Sequence, residues 1–435
     1  MSDTMRSSPA GLMEGNLEIA IGRTIGVVKS YLGSSNPNRK RIIMDVSTAL
    51  RWIDRNAVGI VRTEREIAKH LIRSANDVVL VYYDRENHAF RLLTTEQKRR
   101  LFPALTKNLL RKGSLTPEYN TLFVFHDGDT LISAGLQWDI DFLSTVYRWK
   151  KTNNIIVLQI LYDLIPIIMP EYCVPGMDVL FPRFIMDTIW TADVVYAISD
   201  STAAAFTSYA KALKIDRMPL VRRIRLGCDI PVSREDSELE CVHGLDTRKF
   251  VLYVSTIEPR KNHRMLFDIW RLLVATRRDD IPKLVLVGSK GWSTEDLFEI
   301  IERCPCIYPD KIVILKDVSD RDLSWMYANA LFSLYPSIHE GWGLPIAESL
   351  AHGTPCIASN SSSMPEVAGA FCNLIDPYDF VGWKSAIEKY ISDPELVENM
   401  RGNIKAKYKV ETWSEVIHEF MNDVALVSNR SAGRL

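Results

Sequence analysis

Surplus charge is what this sequence lacks first. Its 53 lysines and arginines nearly cancel 54 aspartates and glutamates, for a formal net charge of −1. That balance argues against a dedicated nucleic-acid binder and leaves only local basic patches to weigh. Paired cysteine motifs are missing as well. The seven cysteines (Cys173, Cys228, Cys241, Cys304, Cys306, Cys356 and Cys372) are scattered and odd in number, and Cys304-Pro-Cys306 has the wrong spacing for a metal-ligand pair. Free thiols in a reducing cytosol are the expectation. The opening stretch has no uninterrupted apolar run either. In GLMEGNLEIAIGRTIGVVKSYL, Glu14, Glu18, Arg23 and Lys29 recur every few residues, which excludes a signal-peptide core and a spanning helix. Residues 1–40 read as an amphipathic helix or a loosely ordered tail, closed by the linker GSSNPNRK. The expected location is cytoplasmic, at most peripheral at the inner face of the plasma membrane.

What is present is length and alternation. A chain of 435 residues exceeds one ordinary core, so two domains of about 200 residues each are expected. RIIMDVS (41–47), VVLVYY (78–83), TLFVFHD (121–127), IIVLQIL (155–161) and DVVYAIS (193–199) read as buried strands, with helices at 59–72 and 141–153 and one opened by Ser199 or Asp200. Apolar strands without polar alternation, each followed by a helix, predict a parallel sheet covered on both faces. This first domain spans 41–231. The polar, acidic stretch 232–249 reads as a linker. The pattern then restarts over 250–410 with strands near 250–257, 283–289, 311–318, 330–337 and 355–360. A helix at 413–426, within the 411–435 segment, finishes this domain or crosses back onto the first. The fold class is α/β, two doubly wound Rossmann-like domains facing a central cleft.

Ligands in such sheets sit beyond the C-terminal ends of strands, so the loops there carry the interest. SIHEGWGLPIAESLAHGTPC (337–356) is one. Gly341 and Gly343 let backbone N–H groups approach a ligand, and Pro345 suits the first turn of a helix. Glu348 is expected in that first turn, where the helix dipole favours a carboxylate, and Glu340 lies in the loop before it. STIEPRKNH (255–263) places Arg260 and Lys261 at a strand end, where a diphosphate is expected, with Asn262 available as a helix cap. VGSKGWS (287–293) repeats glycines and a lysine after a strand.

From about Phe250 to Pro377 these phrases resemble a family-4 retaining glycosyltransferase of the GT-B fold. YVSTIEPRKN, LVLVGSKGW, VSDRDLSWMYANA and EGWGLPIAESLAHG occur in the family's order, with its two glutamates eight positions apart. GIVR, LYDLIPIIMPE and ADVVYAISDST match more faintly in the first half. The resemblance implies that Glu348 accepts from a donor ribose and that Glu340 lies at the sugar and the reaction centre. The backbone of Gly341, Trp342, Gly343 and Leu344 would hold sugar and phosphate oxygens, with Ser255 and Gly288 also on the donor side. Arg260 and Lys261 would neutralise the leaving diphosphate without a metal or other cofactor, and Gly59 would approach it from the opposite domain. The resemblance implies retention of anomeric configuration, by same-face attack. The family commonly has Gly where Ser255 stands and Arg where Thr256 stands. Its usual histidine before Asp163 is here Tyr162, a poor base at neutral pH, leaving Asp163 as the candidate carboxylate near the acceptor.

The resulting expectation is a hexosyltransferase, with GDP-mannose the first choice of donor, extending a glycan or lipid-linked oligosaccharide of a surface polysaccharide. The rival readings are a catalytically inactive nucleotide-sugar-binding subunit and a GT-B epimerase. HDGD (126–129) reads as a solvated loop rather than a metal-binding Asp-x-Asp, and His339 and His352 lack ligand-spaced partners. The segment 95–113, with Lys98, Arg99, Arg100, Lys107, Arg111 and Lys112 beside leucines, reads equally as a helix of the first domain or as a contact with an anionic membrane.

Overall fold

The computed structural model describes residues 40–54, 59–74, 78–105, 121–230, 242, 244–276 and 281–430. The expected tail at 1–39, most of the 232–249 linker and the 106–113 half of the basic segment lie outside these residues.

The first sheet contains β1 (Ile42–Asp45), β2 (Val78–Asp84), β3 (Ala89–Leu92), β4 (Thr130–Ser133), β5 (Ile156–Leu161), β6 (Val194–Ala197) and β7 (Leu220–Arg223). They lie in the order β3-β2-β1-β4-β5-β6-β7, parallel except for the β2–β3 pair. The second sheet is built from β8 (Phe250–Val254), β9 (Lys283–Val287), β10 (Ile312–Leu315), β11 (Ser333–Tyr335), β12 (Cys356–Ser359) and β13 (Cys372–Ile375). Its order is β10-β9-β8-β11-β12-β13, parallel throughout. Both are doubly wound sheets, as expected. The strand order reverses between β1 and β4 in one and between β8 and β11 in the other, and a crevice opens at each reversal.

One expected strand is elsewhere. Residues 121–127 do not enter the parallel sheet; they run beside β3, with Leu92 N–H donating to Thr121 O and Phe123 N–H to Phe90 O. Phe123 and Phe125 are buried while Leu122 and Val124 face solvent, the alternation of a segment covered on one side only. The central strand is the fully buried TLIS of β4, just past the HDGD turn. That turn is not merely solvated. Asp129 is buried in an ion pair with Arg41 and accepts the His126 N–H, while Asp127 is exposed.

In the described half of the basic segment, Thr94 and Gln97 form a capping box for helix Thr95–Leu101. Leu101, Phe102 and Leu105 lie in the core of the first domain, so this apolar face is already covered. Burial pulls the Lys98 amine down to about 8.

The last helix, Trp413–Arg430, packs on the first domain. Asp423 accepts from Tyr196 Oη at 2.7 Å and pairs with Arg222, and the Phe420 ring meets Tyr196 edge-on at 4.9 Å. The Trp413 N–H donates to Asp229 at 2.6 Å. A helix that follows the second domain in sequence thus ties the two together. Among the described residues no helix is long and apolar enough to cross a membrane.

Candidate functional site

The two reversal points face each other. From the second domain come the loop after β8 and the loop after β11. The first folds Pro259–Lys261 into a 3-10 turn. Asn262 does not cap the next helix through its side chain. It takes a left-handed conformation (φ 60°) and donates to Pro377 O at 2.9 Å. The turn brings Arg260 and Lys261 onto one carboxylate: Glu340 Oε1 lies 2.9 Å from Arg260 Nη1 and 2.5 Å from Lys261 Nζ. Ser337 Oγ donates to the same oxygen. Arg260 also pairs with Glu258 at 2.6 Å and donates to His339 O. Burial alone would raise the Glu340 carboxyl, but the two cations override it and hold it at about 2, so it is ionised at any physiological pH.

Glu340 is further fixed from behind. Its N–H donates to Ser362 Oγ at 2.8 Å, and Ser363 Oγ bonds the carbonyls of Glu340 and Trp342 at 2.9 and 2.8 Å. The serines of SNSSSMP thus clamp the loop, and their clustering was the one signal in the sequence for that role.

Glu348 is not in the first turn of its helix. Helix Leu344–Ala351 starts after Gly343 (φ 111°), with no acidic residue in its opening turn. Glu348 is buried instead, and burial raises its carboxyl despite Arg62 and a hydrogen bond from Tyr327 Oη at 3.0 Å. Arg62 comes from the first domain, on helix Gly59–Ser74. Its guanidinium reaches Glu348 Oε1 at 3.3 Å and Asp320 Oδ1 at 2.6 Å. Sequence reasoning passed over this residue, although GIVR marks it. Gly59 opens that helix with φ +50°, and no atom lies within 4 Å of where a Cβ would stand. It is the helix's first residue rather than part of a preceding loop.

Two glycines serve close packing rather than bare backbone. A Cβ on Gly341 would lie 2.1 Å from Tyr162 O, and one on Gly288 would lie 2.0 Å from Ser255 O. Gly341 is therefore where the two domains touch, backbone against backbone. Thr202 Oγ1 bridges the contact, donating to Tyr162 O at 3.1 Å and lying 3.5 Å from Gly341 O. Ser255 Oγ is 3.3 Å from His263 Nε2. Trp342 is buried under the Arg223 guanidinium, 5.9 Å from the ring centre.

Tyr162 is not offered to the cleft. Its phenol is buried in the first domain, donating to Ala134 O at 2.6 Å. Asp163 is turned the other way and feels Arg260, Lys261 and Glu340 across the cleft; burial is the largest influence on it and raises its carboxyl. Its Oδ1 accepts the Ile165 N–H at 2.9 Å. His352 is structural, bonded to Ser324 Oγ and Glu348 O. Among the described residues, no group of three acidic, histidine or cysteine side chains could hold a metal ion.

Two buried carboxylates at the C-terminal ends of β1 and β4 went unread in the sequence. Asp45 Oδ1 accepts from Ser47, and its Oδ2 accepts from Gln137 Nε2 at 2.8 Å. Glu64, one residue beyond Thr63 on the Arg62 helix, accepts the Ala49 N–H. Burial raises the Asp45 carboxyl to about 6 and Glu64 well above its ordinary value.

Comparison with known proteins supports the fold. Residues 237–407 match the family of glycosyl transferases group 1. The O-antigen chain mannosyltransferase B of Escherichia coli is 28% identical over 273 residues, covering 61% of this chain and 69% of that protein. The serotype-specific mannosyltransferase WbdA of Escherichia coli is 26% identical over 59% of this chain, which spans only 32% of WbdA. Among solved structures, that of HepE from Anabaena in complex with UDP and glucose superposes with a TM-score of 0.61 at 16% identity, over 89% of this chain and 100% of that one. Sucrose-phosphate synthase of Thermosynechococcus elongatus gives 0.60 at 15%, over 89% and 99%.

Proposed function

We propose that this chain, a GT-B protein carrying a group 1 glycosyltransferase domain, transfers mannose from GDP-mannose to a growing surface glycan with retention of configuration. The observation that carries the reading is the Glu340–Arg260–Lys261 cluster set against Asp163 at the contact of the two domains. Breaking the bond from C1 to phosphate oxygen leaves positive charge on the sugar and negative charge on the departing diphosphate. Glu340, ionised and fixed, faces the first; Arg260, Lys261 and the amide end of helix Leu344–Ala351 face the second. The acceptor hydroxyl bonds C1 on the face the phosphate leaves. Its proton passes to the leaving phosphate, and GDP departs. Fixed cations make a metal unnecessary to this scheme. Glu348 receives the ribose hydroxyls, displacing Arg62 from its carboxylate. The mannosyltransferase relatives and the GDP-mannose-dependent α-mannosyltransferase of Mycolicibacterium smegmatis, 27% identical over 56% of this chain and 62% of that protein, support the choice of donor. The O-antigen named for the Escherichia coli relative supports a surface glycan as the acceptor.

The test is turnover of GDP-mannose with a mannoside acceptor, in chelator, with product anomers resolved by NMR. An α-linked product formed in chelator supports the reading. Binding of the donor without transfer or hydrolysis would favour a non-catalytic binding subunit, and an inverted product would refute retention.

A further inference from the structure

We propose that a depression on the first domain, between Trp138 and helix Met177–Thr191, binds the sugar one ring back from the acceptor end. The proposal rests on the transferase reading above and names the substrate feature that the site selects. The depression has a volume of about 110 Å³ and is open to solvent. One wall is the turn 137–141 after β4; the other is the face of helix Met177–Thr191 carrying Arg183, Phe184 and Asp187. Trp138 is partly exposed and wedged against Phe181 and Phe184, with ring centres 5.5 and 6.1 Å away. A held indole face with one side open matches the C–H face of a pyranose ring.

The rim supplies the complementary groups. Arg183 reaches Asp141 at 3.4 Å and Asp187 only at 3.8 Å, long contacts that leave donors and acceptors for hydroxyls. Asp139 lines the same depression and pairs with Arg51 at 2.9 Å, so three carboxylates stand against two guanidiniums there. That excess repels a nucleotide diphosphate and suits a neutral polyhydroxyl ligand. Position completes the argument. Trp138 and Phe184 also line the smaller cavity that ends at Tyr162 and Asp163. A saccharide whose last ring lies at Asp163 therefore places its preceding ring on Trp138, and a disaccharide acceptor should outperform a monosaccharide.

The experiment compares methyl α-mannoside with methyl α-mannobioside, by calorimetric binding to the full chain and by transfer from GDP-mannose. The variants are Trp138→Ala and the isosteric Asp187→Asn, which keeps the fold if the first does not. The wild type should bind the bioside about tenfold more tightly than the monosaccharide, and each variant should lose about that factor. GDP affinity and slow GDP-mannose hydrolysis should stay within about twofold. Equal bioside affinity in wild type and Asp187→Asn, or no binding of either mannoside to the wild type, overturns the proposal. Bioside binding by a wild type that transfers no sugar keeps this pocket and sinks the transferase reading.

Discussion

Replacing Glu340 by glutamine keeps the side chain's shape and leaves Arg260 and Lys261 buried beside a neutral amide. The carboxyl is held at about 2 against an ordinary 4.5, an offset worth about 3 kcal/mol in favour of the ionised form. Removing one partner of a buried ion pair typically costs about 3–5 kcal/mol, the same range. Glu340→Gln should therefore destabilise the second domain by about 3 kcal/mol at pH 7, or roughly 6–12 °C in its melting midpoint. Lys261→Met removes the nearer cation. In the double variant the costs should not add: the loss should fall short of the sum by about 1–3 kcal/mol, because neither charge is then stranded. The assay is urea denaturation of the four proteins, fitted to the transition of the second domain. The pH dependence has a definite sign. A depressed carboxyl contributes stability that is present above pH 4.5 and lost as pH falls toward 2, so the wild type should weaken over that window and Glu340→Gln should not. Additivity within about 0.5 kcal/mol, or a single variant as stable as the wild type, would refute the coupled cluster.

Gly341→Ala would force a Cβ to within 2.1 Å of Tyr162 O and wedge the domains apart. Transfer should fall about 100-fold or more while each domain still folds, and small-angle scattering should show an expanded molecule; activity within twofold of wild type would contradict it. Glu348→Ala should weaken GDP binding at least about tenfold, read as loss of its thermal stabilisation, and an unchanged shift would remove Glu348 from the ribose. Asp45, raised from 3.8 to about 6, contributes stability that is full below pH 3.8 and lost as pH rises through 6. Asp45→Asn should flatten that slope and melt higher than the wild type at pH 7.5; an unaltered slope in urea titrations across pH 4–8 would count against it.

Much of the site could be read from local phrases because its chemistry is local. EGWGLPIAESL and EPRKN each lie on one loop after one strand, so the place of each beyond a strand's C-terminal end follows from periodicity, while the sheet reversal between β8 and β11 does not. The 121–127 error has the same root. Leu122 to Phe125 are four consecutive apolar residues, the pattern of a strand buried on both faces, and only the pairing with β3 shows that one face is solvated, whereas the short TLIS stretch lacked the length to signal a central strand.

The sequence by itself determined two doubly wound sheets and the loops that bear Glu340, Glu348, Arg260 and Lys261. Tertiary structure alone decided which carboxylate meets which cation, since Arg260 and Glu340 are eighty positions apart in the chain. It alone paired Arg62 with Glu348, turned Tyr162 inward and Asp163 outward, and assigned Gly341 to a contact between domains. The physical reason is that hydrophobic periodicity reports the face a residue buries, while ion pairs and backbone contacts depend on where distant segments arrive.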